Sequence, residues 1–325
     1  MGDTPVHPRP RYEIERIILS ARDYETSFLV RRIGKLFEIF KYMLYRESIR
    51  TGEAGNQDIS TTDVREWALQ PFDKFFTNLA PDLAPPFEVT LRDYLFPDGF
   101  QLGLDVVDEK LHPRLIDPSN RHVSHGLELA DGYLDDLKKW TTLYKDSEVL
   151  LSFENPEDGL FKRPGRVLID NGQTSCFFKT CHFPSNLKTE LASFKKIASA
   201  NLDSHLNLCH LFGVVIDDDN AIHGLLLTYI DHDGQTLSYS YNPSPFNEQK
   251  WMNQLDATLK ELHKAGIVWG DVKADNVLID REDNAWVIDF GGDYTPGWVE
   301  DEMAGTIEGD LAGMAKIRKY IFQDE

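Results

Sequence analysis

Along the first 145 residues the apolar positions come in separate groups. Between residues 12 and 48, Leu29, Ile33, Leu36, Phe37, Phe40, Met43 and Leu44 recur at the spacing of one helix face, which predicts a helix. The polar stretch ESIRTGEAGNQDISTTD interrupts the pattern. Asp63 with Glu66 can then cap a second helix carrying Trp67, Leu69 and Phe72, limited by Pro71. APDLAPP reads as a linker, residues 87–117 as β-rich, and 128–144 as another helix. No catalytic constellation stands out in this part. The expectation is a mainly helical N-terminal extension with some β structure, over residues 1–145.

From about residue 146 the pattern changes. SEVLLSFE, GRVLIDNG and TSCFFKT read as three short strands, PSNLKTELASFKKIA as a helix, and LFGVVID and IHGLLLTYID as two more strands. In FNEQKWMNQLDATLKELHKAG, Trp251, Leu255, Leu259 and Leu262 line one helix face, and Gly266 stands where a C-terminal cap belongs. Then NVLID, the turn REDN and AWVID read as a hairpin. Strands, helix, strands, helix is an α+β order.

That hairpin concentrates the chemistry. Its pairing would set Asn276 and Asp289 side by side although they are thirteen residues apart, with Asp271 in the loop just before. Two oxygen donors on a rigid hairpin suit Mg²⁺, which keeps its other positions for water and substrate phosphates. A separate carboxylate can orient a hydroxyl and take its proton. Lys273 adds positive charge for a migrating phosphoryl group.

Residues 146–325 therefore resemble a protein-kinase-like domain. The carriers are the D-x-K-x-x-x-N run of Asp271, Lys273 and Asn276, and the D-F-G triplet of Asp289, Phe290 and Gly291 at the usual separation. The resemblance implies a two-lobed fold, with an N-lobe over about 146–232 and a C-lobe over about 233–325. It implies ATP and Mg²⁺ as cofactors, Asp271 as catalytic base, and Asn276 and Asp289 as metal ligands. Lys179 would contact the nucleotide phosphates, with Glu190 as its partner. Tyr229 and Ile230 would offer backbone groups to adenine, and Asp310 would brace the catalytic loop. The implied reaction is phosphoryl transfer to a hydroxyl, most simply of a serine/threonine protein. The alternatives are a small molecule, as in kinases resembling aminoglycoside and choline phosphotransferases, or a pseudokinase scaffold. The tail GWVEDEMAGTIEGDLAGM is also similar to kinase-like proteins common in fungi.

Four departures shape that expectation. NPEDGLFKRPG stands where a glycine-rich phosphate lid belongs. Trp269 and Gly270 replace His-Arg, so switching by phosphorylation at Thr295 or Thr306 is not expected. No A-P-E closes the segment between Asp289 and Asp310. The chain stops soon after the helix near Asp310, which implies a truncated C-lobe.

Composition narrows the rest. The chain has 325 residues, 41% hydrophobic, enough for one large or two ordinary domains. A net charge of −20 argues against a broad nucleic-acid footprint, which needs clustered cations. MGDTPVHPRP lacks an apolar leader segment, Val6 spoils a myristoylation motif at Gly2, and no apolar run reaches bilayer length. Three cysteines, Cys176, Cys181 and Cys209, suggest a reducing compartment. The expected location is the cytoplasm, with the nucleus left open, and no membrane or nucleic-acid partner. CFFKTCH and LCH read as packing rather than as a zinc site, and His122 and His125 as part of a surface loop.

Overall fold

A computed structural model describes residues 11–19, 26–41, 68–82, 88–108, 110–117, 126–130, 132–203, 205–239, 243–290 and 295–322. The proposed Asp63 cap, His122, His125 and Gly291 lie outside the described residues. The chain divides into two compact units. The first comprises Met1–Ser124 and Ser147–Gly165, the second His125–Asp146 and Arg166–Glu325.

The first unit is built on strands, which corrects the expected helix over 12–48 and the mainly helical extension. β1 (Glu13–Leu19), β2 (Thr26–Arg32) and β3 (Lys35–Lys41) pair antiparallel in sequence. Between β2 and β3, Ile33 and Gly34 both have positive φ, +48° and +66°, as a two-residue type I′ hairpin requires. That turn sets Arg32 opposite Lys35, so Phe28 and Val30 on one strand and Phe37 and Ile39 on the other face the same core. Two seven-residue strands joined by so tight a turn place apolar residues three and four apart along the chain. The helical periodicity was therefore an accident of strand length.

Short helices α1 (Asp73–Leu79) and α2 (Leu91–Leu95) follow, the latter opened by a capping box between Thr90 and Asp93. β4 (Asp98–Val107) runs parallel to β3, and β5 (Lys110–Asp117) closes the sheet order β1-β2-β3-β4-β5. Leu69, Phe72 and Phe76 fill the core beneath Phe37, Leu102 and Leu104. The Phe37 and Phe76 rings meet edge-on with centroids 5.0 Å apart.

The chain then enters the second unit with α3 (Tyr133–Leu137) and β6 (Thr142–Lys145), not with the single helix expected over 128–144. It returns to the first unit for Ser147–Gly165. There β7 (Leu150–Leu151) is all that forms of the strand read in SEVLLSFE. Hydrogen bonds of 2.8 Å from Leu91 N to Val149 O and from Leu151 N to Val89 O fix it beside the start of α2. A 3-10 turn, Pro156–Leu160, forms within the NPEDGLFKRPG segment. Arg11 pairs with Asp158 and lies over the Phe161 ring, 4.4 Å from its centroid. The Gly34 amide donates to Leu160 O at 2.8 Å.

The remaining elements of the second unit match the predicted order. They are β8 (Arg166–Ile169), β9 (Thr174–Thr180), α4 (Pro184–Ser199), β10 (Leu211–Ile216), β11 (Ile222–Thr228), α5 (Pro245–Lys264), β12 (Val277–Ile279), β13 (Ala285–Val287) and α6 (Ile307–Phe322). Within this unit the strands lie in the order β6-β10-β11-β9-β8, with β6 parallel to β10 and the other neighbours antiparallel. Trp251, Leu255, Leu259 and Leu262 of α5 are buried with Phe194, Leu225, Leu227, Trp269 and Phe290 in one core. Along β9, alternation buries Cys176 and Phe178 but leaves Phe177 41% exposed, so Phe177 is not the core residue its type suggests.

Candidate active site

The β12–β13 hairpin pairs Val277 with Val287 and Ile279 with Ala285. This register carries the two oxygen-bearing positions to the same end. The Ile288 amide donates to Asn276 O at 3.2 Å, which ties the residue before Asp289 directly to Asn276. Asp289 adopts φ +62°, a left-handed conformation that Asp tolerates better than most residues.

Asp271 is buried and held on three sides. Its Oδ2 accepts from Lys273 Nζ at 2.6 Å and from Asn276 Nδ2 at 3.0 Å, and its Oδ1 accepts from Thr295 Oγ1 at 2.9 Å. Asn276 Nδ2 also donates to Asp271 O at 2.9 Å. Lys273 Nζ reaches Thr295 Oγ1 at 2.8 Å. Thr295 is thus a member of the cluster that sequence reasoning missed. It lies 24 residues beyond Asp271 in an irregular segment, where spacing carries no signal.

The loop preceding Asp271 hangs from α6. Asp310, 1% exposed, accepts from Gly270 N through Oδ1 and from Trp269 N through Oδ2, both at 2.8 Å. Its Oδ2 also lies 2.8 Å from His263 Nε2. The cap of α6 is Thr306, whose Oγ1 accepts from Gly309 N at 3.0 Å. Gly270 has φ +94°, which a side chain would strain.

On the facing side, Lys179 of β9 donates to Glu190 Oε1 at 2.8 Å and to Asp289 Oδ1 at 3.0 Å. Glu190 belongs to α4 and is buried, not a solvated helix charge. Burial alone would pull the Lys179 ammonium down, but the Glu190 and Asp289 carboxylates beside it hold its pKa above the usual lysine range. Burial pushes the Glu190 carboxyl up, against the pull of Lys179.

These groups share one cavity of about 310 Å³, lined by Lys179, Cys181, Phe183, Glu190, Asp271, Lys273, Asp289 and Thr295 among others. Tyr229 and Ile230 follow β11 as expected, but neither they nor Asn276 contributes to the lining. The Arg166 guanidinium lies over the Tyr229 ring at 4.9 Å, and Ile230 is buried. Burial pushes the thiols of Cys181 and Cys209 up to about 12 and that of Cys176 to about 11, so all three stay protonated at neutral pH.

A lysine–glutamate pair, a loop carboxylate and a second carboxylate on a hairpin, all from residues 179–295, coincide with an independent finding. Residues 179–294 match the family model described as a protein kinase domain. Over these residues the chain is protein-kinase-like.

The kinase-like chain is 30% identical over 118 residues to the serine/threonine-protein kinase PSK1 of Saccharomyces cerevisiae, covering 34% of this chain and 9% of that protein. It is 27% identical over 110 residues to the protein kinase kin1 of Schizosaccharomyces pombe, covering 33% and 12%. It is 28% identical over 90 residues to the hormonally up-regulated neu tumor-associated kinase of Mus musculus, covering 27% and 12%. The chain spans a fifth or less of the length of the curated relatives it matches. Among the described residues, no helix is long and apolar enough to cross a membrane.

Proposed function

We propose that this chain is an ATP-dependent phosphotransferase that acts on a protein serine or threonine hydroxyl. The observation that carries the proposal is the convergence of Lys179, Glu190, Asp271, Lys273 and Asp289 on one cavity. Asp271 is the base that orients the acceptor hydroxyl and takes its proton. Thr295, Lys273 and Asn276 fix its carboxylate, so little reorganisation accompanies the reaction. Lys179 is kept charged by its two carboxylate neighbours and binds nucleotide phosphate.

The donor set fits Mg²⁺. With Asn276 Nδ2 committed to Asp271, the amide oxygen is the atom left to meet a cation. Asp289 supplies the second hard oxygen, and the bond between Ile288 N and Asn276 O keeps the two residues together. When bound, Mg²⁺ would neutralise charge building on the transferred phosphoryl group. Lys273, beside Asp271, adds a protein cation at the same place.

One observation favours a second reading, a nucleotide-binding scaffold without turnover. The segment in the place of a glycine-rich lid is a 3-10 turn tied to Arg11 and Gly34 of the first unit, and it carries Glu157 and Asp158. Thermal shift with ATP and Mg²⁺, followed by ATP consumption, separates the two for the wild type and Asp271→Asn. Turnover abolished by the substitution supports the enzyme. Stabilisation by nucleotide without wild-type turnover supports the scaffold and overturns the phosphotransferase.

A further inference from the structure

The cavity that holds Lys179 runs from it toward the end of β9. Its lining continues along the chain through Thr180, Cys181, Phe183 and Asn186, and among the described residues it takes in none of β9 before Lys179. The segment expected to meet adenine lies on the opposite side. Register sets Leu225 against Lys179, Leu227 against Phe177 and Thr228 against Cys176, so Tyr229 and Ile230 follow beside the start of β9. On this face of the sheet, the way from Lys179 to those two residues passes Phe177.

Alternation puts Ser175, Phe177 and Lys179 on one face of β9, with Phe177 about 7 Å along the strand from Lys179. Phe177 stands between its partners in register, Arg166 on β8 and Leu227 on β11. Arg166 reaches further. β9 separates β8 from β11, so the arginine side chain crosses β9 to meet Tyr229. On the way its Nη2 donates to Ser175 Oγ at 3.0 Å, and its guanidinium ends over the Tyr229 ring at 4.9 Å. The charged groups gather at the other end, where Lys179, Lys273, Asp271 and Asp289 line the cavity. The residues present fit a polyphosphate with a divalent cation. They do not fit a flat base laid against the Tyr229–Ile230 backbone.

We propose that the donor is recognised as a cation-bound triphosphate whatever its base, because Phe177, backed by Arg166, closes the Tyr229–Ile230 backbone to the nucleobase. The inference rests on the phosphotransferase reading and specifies its donor. A site that hydrogen-bonds one base rejects the others strongly, whereas charge-assisted bonds to phosphate are the same for every base.

The test uses the full chain and isothermal titration calorimetry in the presence of Mg²⁺. The ligands are the β,γ-imido analogues of ATP and GTP, β,γ-methylene CTP, and inorganic tripolyphosphate. Wild type should bind the three nucleotides within about threefold of one another and tripolyphosphate within about tenfold of them, a spread of no more than about one hydrogen bond. The double variant Arg166→Ala with Phe177→Ala should bind the ATP analogue about tenfold or more tightly than the CTP analogue, as backbone hydrogen bonds to the base become available. If that variant fails to fold, Arg166→Gln with Phe177→Val carries the same expectation. A wild type that prefers the ATP analogue by about tenfold overturns the inference. So does a folded double variant whose nucleotide ratios are those of wild type, or a wild type that binds the nucleotides but not tripolyphosphate. A wild type that binds none of the four overturns the phosphotransferase reading, and the inference with it.

Discussion

Replacing Asp310 with Ala removes a carboxylate that accepts from two backbone amides, Trp269 N and Gly270 N, and from His263 Nε2. The site is 1% exposed, so water cannot replace the lost acceptor. Each orphaned buried amide costs about 1–3 kcal/mol. Relief of a desolvated charge offsets part of the pair's cost, which leaves a destabilisation of about 3–4 kcal/mol. For a unit of this size each kcal/mol shifts Tm by about 2–4 °C, so the loss is roughly 6–16 °C. Tryptophan fluorescence is suited to the measurement. Trp140, Trp251, Trp269, Trp286 and Trp298 all belong to the second unit. The loop it releases also carries Asp271, so turnover should fall by about 10²-fold, the usual consequence of a misplacement near 1 Å. Asp310→Asn retains one acceptor oxygen and should lose about half as much stability. A loss below about 1 kcal/mol in Asp310→Ala, with turnover intact, would refute the claim that α6 suspends the loop.

Thr295→Ala should lower turnover by about tenfold, and Thr295→Ser should restore most of it, because the hydroxyl on Asp271 Oδ1 is what matters; a kinetic comparison of the three proteins decides it. Loss of activity in Thr295→Ala therefore says nothing about phosphorylation. Thr306→Ala should cost about 1 kcal/mol in chemical denaturation through the lost α6 cap, with turnover unchanged. Asp280 closes the turn of the β12–β13 hairpin, accepting from Glu282 N, Asn284 N and Trp286 Nε1. Burial would raise its pKa, but these donors together hold it below the ordinary carboxylate range. A depressed folded pKa gives stability that is present above the unfolded value, about 4, and is lost as pH falls through the folded one. Asp280→Asn should thus be less stable than wild type at pH 7, and the gap should close in urea titrations as pH falls below about 4; a gap constant with pH would rule this out.

The residues of the candidate site could be picked out because their signals are local. Asp271, Lys273 and Asn276 fall within six residues, and Asp289 lies one hairpin away with turn residues between. Lys179 and Glu190 were reachable through their order on a strand and the following helix. Thr295 was not, because it meets Asp271 through a loop whose path leaves no period in the sequence. The first unit was misread for a different reason. The spacing of Leu29, Ile33, Leu36, Phe37 and Phe40 fits a helix as well as two strands, and only the positive φ at Ile33 and Gly34 selects the hairpin. A non-glycine residue at the first turn position hid that signal.

The chain passes from the first unit to the second near residue 125, back near 147, and forward again near 166. Neither unit is therefore a continuous stretch of polypeptide. During synthesis the first unit cannot complete until Gly165 has emerged, by which time β6 of the second is already made and waiting for β10. A gene fragment begun at residue 146 would sever β6 from its sheet, and one ended there would deprive the first unit of Ser147–Gly165. The two units are interlaced in the order of their assembly, so the kinase-like half cannot be shuffled into another protein as an uninterrupted module.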